Sequence, residues 1–491
     1  MRFRRGAAGY WFGSFNSQRV IKRFFGNISF VVVLNLLVKP GWVVVESLVQ
    51  DRLGHATFGI VTALTSLTMI LAVLSDLGLT HFSVQRLAAE PGFMAEAFPV
   101  VLPLRGGLNV VALGLMLAVG GLLGYRGSQL LWLAVVGASL LLAQYAQFLR
   151  GTLQASQRFN TDAVLSVLEK ALLLGLVLLC LPIGLTLERY LGARLAAAAF
   201  TAVLLYGLMW KLFGRVRYRF SWPQARGLLR QSLPFALITV LYGINERVDM
   251  VMLERLASPV EAGYYAGAYR WVDAVMMYAW TVLPLFFAKF AAVQHSKTEQ
   301  QTLFWFGQRV VAVPLLLVVA FGWFNAERLF WQLTHSSPAE IARMAWCVRI
   351  LFLNVLVHAL FAIYAALLNS TGHVRFVSRL VVVSIVLNVT LNAIFLPRFG
   401  AVAAAWNTLA CAALVSGGYV VLVARTDVAV PWGLLGRLLA TLGALCAAWY
   451  GLRQLAGLHW VLETAVAGVI FGVLLLVFGV VRPAELRQLR R

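Results

Sequence analysis

The chain has 491 residues, of which 61% are hydrophobic and 12% are charged, and its formal net charge is +22. A water-soluble globular protein is about a quarter charged and less than half apolar, so this composition excludes a soluble fold. Apolar runs of about twenty residues recur along the chain, each long enough to cross a bilayer as a helix. The composition therefore predicts an all-α polytopic membrane protein.

The N-terminal arm, residues 1–27, is basic. It is not followed by a short apolar stretch with a small-residue cleavage site, so we predict no removable signal peptide. The segment Tyr10–Phe25 mixes aromatic and basic residues, which is typical of a segment at the cytoplasmic membrane interface.

Fourteen membrane spans are predicted, separated by charged, Gly-containing or Pro-containing turns. They cover residues 28–50, 56–78, 97–124, 128–149, 161–182, 191–213, 231–254, 262–288, 302–324, 341–368, 374–396, 400–424, 433–452 and 460–481.

The basic residues in the loops predict the orientation of these spans. With the N-terminus inside, the cytoplasmic segments contain 25 Lys and Arg residues and the outer loops contain nine. Cytoplasmic loops of membrane proteins carry such an excess, so both termini are predicted to lie in the cytoplasm. The same bias explains most of the positive charge, and a nucleic-acid partner is not needed.

An internal repeat divides the chain. Arg52–Ala63 is echoed by Arg255–Ala268, and two further segment pairs recur in the same order at similar offsets. We predict an N-lobe of six spans (28–213), a basic cytoplasmic linker (214–230), a C-lobe of six spans (231–424), and two extra spans with a cytoplasmic tail (425–491). Repeated lobes in a membrane protein favour alternating access, with the substrate site between the lobes.

Motifs of soluble enzymes are absent from the sequence. It has no P-loop, DxD, HExxH or GxSxG motif, and the four cysteines show no paired spacing that would indicate a metal site or disulfides. We therefore predict a protein that is not an enzyme and that has no cofactor.

Charged residues that lie within the predicted spans and away from their ends are the candidate functional residues. A charge that faces lipid at mid-depth costs about 2.5–3.5 kcal/mol, so such residues must face a wet cavity or one another. The bases are Lys39, Arg105, Lys170, Arg247, Arg270 and Arg349, and the acids are Glu46, Glu169, Glu246, Asp249 and Asp273.

Internal pairing competes with ligand binding for most of these residues. Arg270 and Asp273 are three residues apart and can meet on one helical face. Arg105 and Arg349 have no acid within four residues in their own spans, which favours them as ligand-binding residues. Lys39 precedes Pro40 and Gly41, so a kink is expected beside this charge, either for a cavity or for ordinary packing.

Aromatic residues cluster near the seventh and eighth spans, among them Tyr264, Tyr265, Tyr269, Trp271 and Trp280. They could stack on sugar rings, although interface belts and core packing are the commoner role of Tyr and Trp in membranes.

Three stretches carry a family resemblance. They are Leu53–Ala88, Ser232–Arg270 (SLPFALITVLYGINERVDMVMLERLASPVEAGYYAGAYR), and the segment that begins LLNSTGHVRF and continues to LPRFGAVAAAWNTLA. With them, nearly the whole chain resembles the polysaccharide flippases, of O-antigen or teichoic-acid type, in the multidrug/oligosaccharidyl-lipid/polysaccharide exporter superfamily.

The resemblance implies two lobes around a central cavity. It also implies export of an undecaprenyl-diphosphate-linked oligosaccharide across the bacterial inner membrane, coupled to H⁺ or Na⁺. Cavity cations would receive the diphosphate, and we expect these to be Arg105, Arg349, Arg247, Arg270 and Lys39. Asp249, Glu46 and Asp273 are the expected coupling residues.

Partners implied by this interpretation are the lipid-linked oligosaccharide, membrane lipids and glycan polymerase or assembly proteins. Two alternatives remain at this point. A multidrug cation antiporter of the same superfamily would need cavity acids without matching bases, and a scaffold of a glycan-assembly complex would need no buried charges.

The predicted topology can be tested by labelling intact cells. A cysteine at Gln224, in a variant that lacks the four native cysteines, should be protected from an impermeant thiol reagent because the linker is cytoplasmic. A cysteine at Arg126, in a predicted outer loop, is the accessible control. Labelling at Gln224 from outside would contradict the predicted orientation.

Overall fold

A computed structural model of the chain describes residues 17–89, 93–156, 158–214, 218–293, 295–426, 428–455 and 459–481. Within these ranges the regular secondary structure is helical. The helices are α1 (Ser17–Asp76), α2 (Leu79–Ala89), α3 (Phe93–Leu122), α4 (Ser128–Ala155), α5 (Phe159–Cys180), α6 (Leu187–Phe213), α7 (Trp222–Leu256), α8 (Pro259–Ala292), α9 (Lys297–Asn325), α10 (Pro338–Ser370), α11 (Val374–Phe399), α12 (Ala401–Val423), α13 (Trp432–Leu455) and α14 (Trp460–Val477), with a 3₁₀ turn at Glu327–Phe330.

The predicted all-α membrane fold is confirmed. Eleven helices in the described ranges are long and apolar enough to cross a membrane. The sequence-based count of fourteen takes the two halves of α1 separately and includes α5 and α7.

A bend at Gly54 divides α1 into the first and second predicted spans. Gly54 has φ 77° and ψ 159°, a conformation that residues with a Cβ rarely adopt. The backbone at Lys39–Gly41 is helical, so the break in this element lies at Gly54 and not beside Lys39. Lys39 itself is outside the residues whose side chains the structure describes.

The two lobes meet where α1 packs against α7 and α8. The closest approach joins two glycines of the repeated segments. A Cβ on Gly59 would lie 1.9 Å from the Pro259 carbonyl oxygen, and a Cβ on Gly263 would lie 2.1 Å from the His55 carbonyl oxygen. Small residues allow membrane helices to pack this closely, and here they bring the lobes into backbone contact.

Hydrogen bonds reinforce this contact at the end of the lobes that contains Gly54, which we call the Gly54 face and which is predicted to be outside. The Asp51 carboxylate accepts from Thr334 Oγ1 at 3.0 Å and from the His335 backbone N at 2.9 Å. His335 Nδ1 also lies 2.7 Å from Asp51 Oδ2. These bonds, together with a 2.9 Å bond from Gln50 Nε2 to the Gly263 carbonyl, hold the lobes together at this face.

The two C-terminal helices pack against α9. The buried Glu463 of α14 accepts from Arg453 Nε at 2.7 Å and from the Trp449 indole N–H, both on α13. Arg328, in the 3₁₀ turn after α9, lies 3.4 Å from the same carboxylate. One buried acid thus joins both extra helices to the C-lobe.

The glycine contact between the lobes predicts a sharp steric effect. Gly263→Ala should lower the unfolding temperature of the purified protein, because the new methyl group would overlap a backbone carbonyl that cannot rotate aside. Overpacking of this kind costs about 1–3 kcal/mol. Gly472→Ala is the matched control, since that helical glycine has no atom within 4 Å of the added Cβ. Equal thermal stability of the two variants would contradict the close approach.

Candidate functional site

Three adjacent cavities lie within and between the lobes, and their residues come from different sets of helices. The N-lobe cavity, about 330 Å³, is lined by α1, α4, α5 and α6. The interlobe cavity, about 270 Å³, is lined by α1, α7 and α8 with Lys170 of α5. The C-lobe cavity, about 260 Å³, is lined by α7, α8, α10, α11 and α12.

Shared walls connect these cavities. Glu46 and Lys170 line both the N-lobe and the interlobe cavities. Tyr269 and Asp273 line both the interlobe and the C-lobe cavities. A ligand larger than one cavity could therefore extend into its neighbour.

The bases are concentrated in the N-lobe and interlobe cavities. Lys170, Arg194, Arg247 and Arg270 line one or both of them. The acids on the same walls are Glu46, Glu169 and Asp273, so the bases exceed them by one. Guanidinium groups bind phosphate with two parallel hydrogen bonds, and this set suits a phosphorylated anion.

Arg270 is the most buried of these bases. It donates to Ser47 Oγ at 2.9 Å and to Gln50 Oε1, and its guanidinium lies 5.0 Å from the centre of the Phe58 ring. Its Nε–H has no hydrogen-bond partner in the described structure. The neutral partners leave the positive charge of Arg270 without a direct ion pair.

Arg247 makes a loose ion pair with Asp273. Arg247 Nη2 and Asp273 Oδ2 are 3.4 Å apart, and both side chains are partly exposed to the cavities. The expected pairing of Arg270 with Asp273 along α8 is absent from the described ion pairs, in which Arg247 of α7 is the partner of Asp273. Because the contact is long and solvated, Arg247 remains available to a stronger anionic ligand.

The C-lobe cavity has the opposite charge. Glu246, Asp249 and Asp273 line it, and its described walls contain no Lys or Arg. Asp249 is buried and accepts from Tyr265 OH at 2.7 Å, from the Met250 backbone N at 3.0 Å and from Thr408 Oγ1 at 3.3 Å. This arrangement suits a proton, a small cation or a neutral polar ligand better than an anion.

Arg105 and Arg349 were expected to lack acidic partners, and that inference is wrong because the partners come from other elements. Arg105 Nη1 lies 2.8 Å from Asp76 Oδ1 and donates to Thr80 Oγ1 at 2.6 Å, and the residue is only 1% exposed. Arg349 Nη2 lies 3.2 Å from Glu327 Oε1. Neither arginine is among the residues that line the three cavities.

Sequence reasoning missed Arg194, which was counted with the outer loops. Helix α6 begins at Leu187, where Thr186 caps it by accepting from the Arg189 backbone N at 3.3 Å. Arg194 lies two turns inside this helix and lines the N-lobe cavity, where its Nη1 donates to Thr65 Oγ1 at 3.2 Å. The capping Thr followed by Glu188 was the available signal.

Comparisons with known proteins support the architecture. The Haloferax volcanii protein named "Probable low-salt glycan biosynthesis flippase Agl15" is 23% identical over 363 residues, which is 73% of this chain and 74% of that protein. A solved structure described as "Lipid II flippase MurJ, inward closed conformation" superposes with a TM-score of 0.75 at 10% identity, over 94% of this chain and all of that chain.

A second solved structure is described as an inward-facing multidrug resistance transporter of the MATE family in the MOP superfamily. It has a TM-score of 0.60 at 14% identity, and the match covers 79% of this chain and 94% of that chain. At such low identity, both structures establish a shared fold of two lobes around a central cavity. The fold that the sequence resemblance implies is thereby confirmed.

The match to a protein family covers the N-lobe and continues into the eighth predicted span. The family described as "Polysaccharide biosynthesis protein" matches residues 24–287, and this range is more than half of the chain and includes every base of the interlobe cavity. The chain belongs to this polysaccharide biosynthesis protein family.

Proposed function

We propose that the protein is a flippase that moves an undecaprenyl-diphosphate-linked oligosaccharide from the inner to the outer leaflet of the bacterial inner membrane. The observation that carries this proposal is the group of bases in the N-lobe and interlobe cavities, at the centre of a fold shared with a lipid II flippase. The name of the Haloferax volcanii relative, a probable glycan biosynthesis flippase, supports the same substrate class.

The chemistry of the substrate explains the need for these bases. A diphosphate that leaves the headgroup region loses its hydration, and an isolated ion in a low-dielectric interior is very costly. Arg247 of α7 and Arg270 of α8 both line the interlobe cavity. They can replace part of the lost hydration with charge-assisted hydrogen bonds.

Alternating access supplies the mechanism. The Gly54 face, predicted to be outside, is closed by the glycine contact and by the hydrogen bonds of Asp51. Separation of the lobes at this face, with closure at the opposite end, would expose the cavities to the outer leaflet. The cytoplasmic position of both termini and an association with glycan polymerase or assembly proteins of O-antigen or lipopolysaccharide type belong to the same proposal.

Coupling to a cation gradient belongs to the proposal as well. The acids of the C-lobe cavity supply oxygen ligands for H⁺ or Na⁺, and Asp249 is the buried member of the group. Glu46 and Asp273 lie on the walls of the basic cavities and are the other two candidates.

A multidrug cation antiporter is the competing function, and the acidic C-lobe cavity is the observation that favours it. The neighbouring bases argue against it, because they would repel a cationic drug on its way through the interlobe cavity. Purified protein that bound cationic drugs and ignored lipid diphosphates would support the antiporter and overturn the flippase.

The role of the cavity cations predicts a clear mutational difference. Arg247→Ala should weaken binding of farnesyl diphosphate by roughly 10–100-fold, since a hydrogen bond to a charged group is worth about 1.5–3 kcal/mol. Arg247→Lys should recover only part of the affinity, because Lys lacks the bidentate geometry.

Arg349→Ala is the matched control for this measurement, since Arg349 is a membrane-depth arginine that lies outside the three cavities. It should bind the diphosphate as the unmodified protein does. Equal losses in Arg247→Ala and Arg349→Ala would show that the effect does not arise in the interlobe cavity, and equal binding of farnesyl diphosphate and farnesol would overturn the proposed substrate class.

The coupling role of the acids can be tested in proteoliposomes with imposed H⁺ or Na⁺ gradients. We expect Asp249→Asn to remove the gradient dependence of lipid transport, because the amide cannot take up a proton and binds a cation more weakly. Glu46→Gln and Asp273→Asn test the other candidates. Glu327→Gln, outside the cavities, should keep the gradient dependence of lipid transport. If all three cavity variants also keep this dependence, these acids are excluded as the coupling site.

A further inference from the structure

The C-lobe cavity contains polar groups that the protein itself does not satisfy. Asn354 of α10 lines this cavity and is only 3% exposed, yet its Oδ1 has no hydrogen-bond partner in the described structure. Buried side-chain oxygens are nearly always hydrogen-bonded in native proteins, so an exception needs an explanation. A ligand that donates hydrogen bonds would supply the missing partner.

Two further polar side chains line the same cavity. His358 lies one helical turn further along α10 and also lines the cavity. Glu246 of α7 is exposed to the cavity, and its charged neighbours are Arg247 and Asp273. Two helices, α7 and α10, therefore present polar groups that can bind a ligand to one space.

The C-lobe cavity adjoins the interlobe cavity, where the diphosphate is proposed to bind. Tyr269 and Asp273 form a wall common to the C-lobe cavity and the interlobe cavity, in which Arg247 and Arg270 lie. In a lipid-linked glycan the first sugar is bonded directly to the diphosphate, and the polyprenyl chain leaves on the other side. A diphosphate held by these arginines thus places either the sugar or the chain next to this wall.

The polar lining of the C-lobe cavity favours the sugar over the polyprenyl chain. A polyprenyl chain in the C-lobe cavity would leave Asn354 Oδ1 and the Glu246 carboxylate without water or another hydrogen-bond partner, which is unfavourable. Sugar hydroxyls donate to carboxylate and amide oxygens, and the rings of Tyr269 and Trp280 on the same wall can pack against the apolar face of a pyranose.

The charge of the lining then restricts the sugar. A uronic acid or a phosphorylated sugar would bring a second negative charge beside Glu246, Asp249 and Asp273, in a cavity whose described walls contain no Lys or Arg. Like charges in a partly desolvated site repel strongly and exclude the wrong ligand. A neutral sugar meets no such repulsion, and a protonated amino sugar is attracted.

We propose that the C-lobe cavity is the subsite for the first sugar of the lipid-linked glycan, and that it selects a neutral or amino sugar and rejects an acidic one. This inference rests on the proposed function and adds the chemical class of the glycan to it.

The subsite can be tested with full-length protein in lipid nanodiscs and four probes. These are farnesyl diphosphate alone and farnesyl diphosphate that carries N-acetylglucosamine, glucosamine or glucuronic acid. We expect the glucuronic acid probe to bind at least tenfold more weakly than the other two glycan probes. Glu246→Gln should reduce this difference at least threefold, and Glu327→Gln, outside the cavity, should leave it unchanged.

A second variant separates the sugar subsite from the diphosphate site. Asn354→Leu, which keeps the size of the side chain, should weaken binding of the N-acetylglucosamine probe several-fold and leave binding of farnesyl diphosphate unchanged. Equal loss for both probes, or no loss for either, would overturn the subsite.

The outcomes also distinguish this inference from the proposed function. If no diphosphate probe binds better than farnesol, the flippase proposal itself fails. If the diphosphates bind but the three glycan probes bind equally, the subsite is wrong and the flippase stands. If Glu246→Gln alters only the dependence of binding on Na⁺ or H⁺, the cavity is a cation site and the inference is overturned.

Discussion

The structure depends on one constraint, which is that a charge at membrane depth must be compensated by another polar group or by a wet cavity. Two solutions recur in this protein. Arg105 is compensated inside the N-lobe by Asp76, at 2.8 Å, and is sealed from solvent. Arg247 and Arg270 instead face the interlobe cavity, where their partners are a distant carboxylate and neutral oxygens. The first solution stabilises a lobe, and the second leaves charge available for a ligand.

Because the cavities differ in charge, they favour one orientation of a ligand that spans them. Bases line the N-lobe and interlobe cavities, and acids line the C-lobe cavity. The boundary is a single wall, formed by Tyr269 and Asp273 of α8. A ligand with an anionic centre and a neutral polar head matches this sequence of environments, whereas a uniformly charged ligand would match only part of it.

Helix α1 connects the cavities with the closed Gly54 face. Gln50 donates to the Gly263 carbonyl at the lobe contact and also accepts from Arg270 at the cavity wall. One turn away, Gly54 bends the helix, and its backbone lets the second half of α1 approach α8. The Gln50 side chain therefore links the buried Arg270 of the cavity wall to the closed contact between the lobes.

Much of this protein follows from the sequence alone. Hydropathy and the distribution of Lys and Arg predict the all-α membrane fold and the positions of its helices, because each span must satisfy its own backbone hydrogen bonds in lipid. The resemblance of Arg52–Ala63 to Arg255–Ala268 identifies the two segments that meet at the lobe contact. The family resemblance also follows from the sequence, and the comparisons confirm it.

Only the tertiary structure decided which charges are paired. The acid that pairs with Arg105 is 29 positions away in the chain, and the acid that pairs with Arg349 is 22 positions away. Spacing within a helix could therefore not reveal either pair. Arg194 was counted with the outer loops, but it lies two turns inside α6 and lines a cavity. Helical periodicity predicts which residues share a face, but packing between helices decides which element lies opposite that face. That packing determined which arginines pair with an acid and which line a cavity.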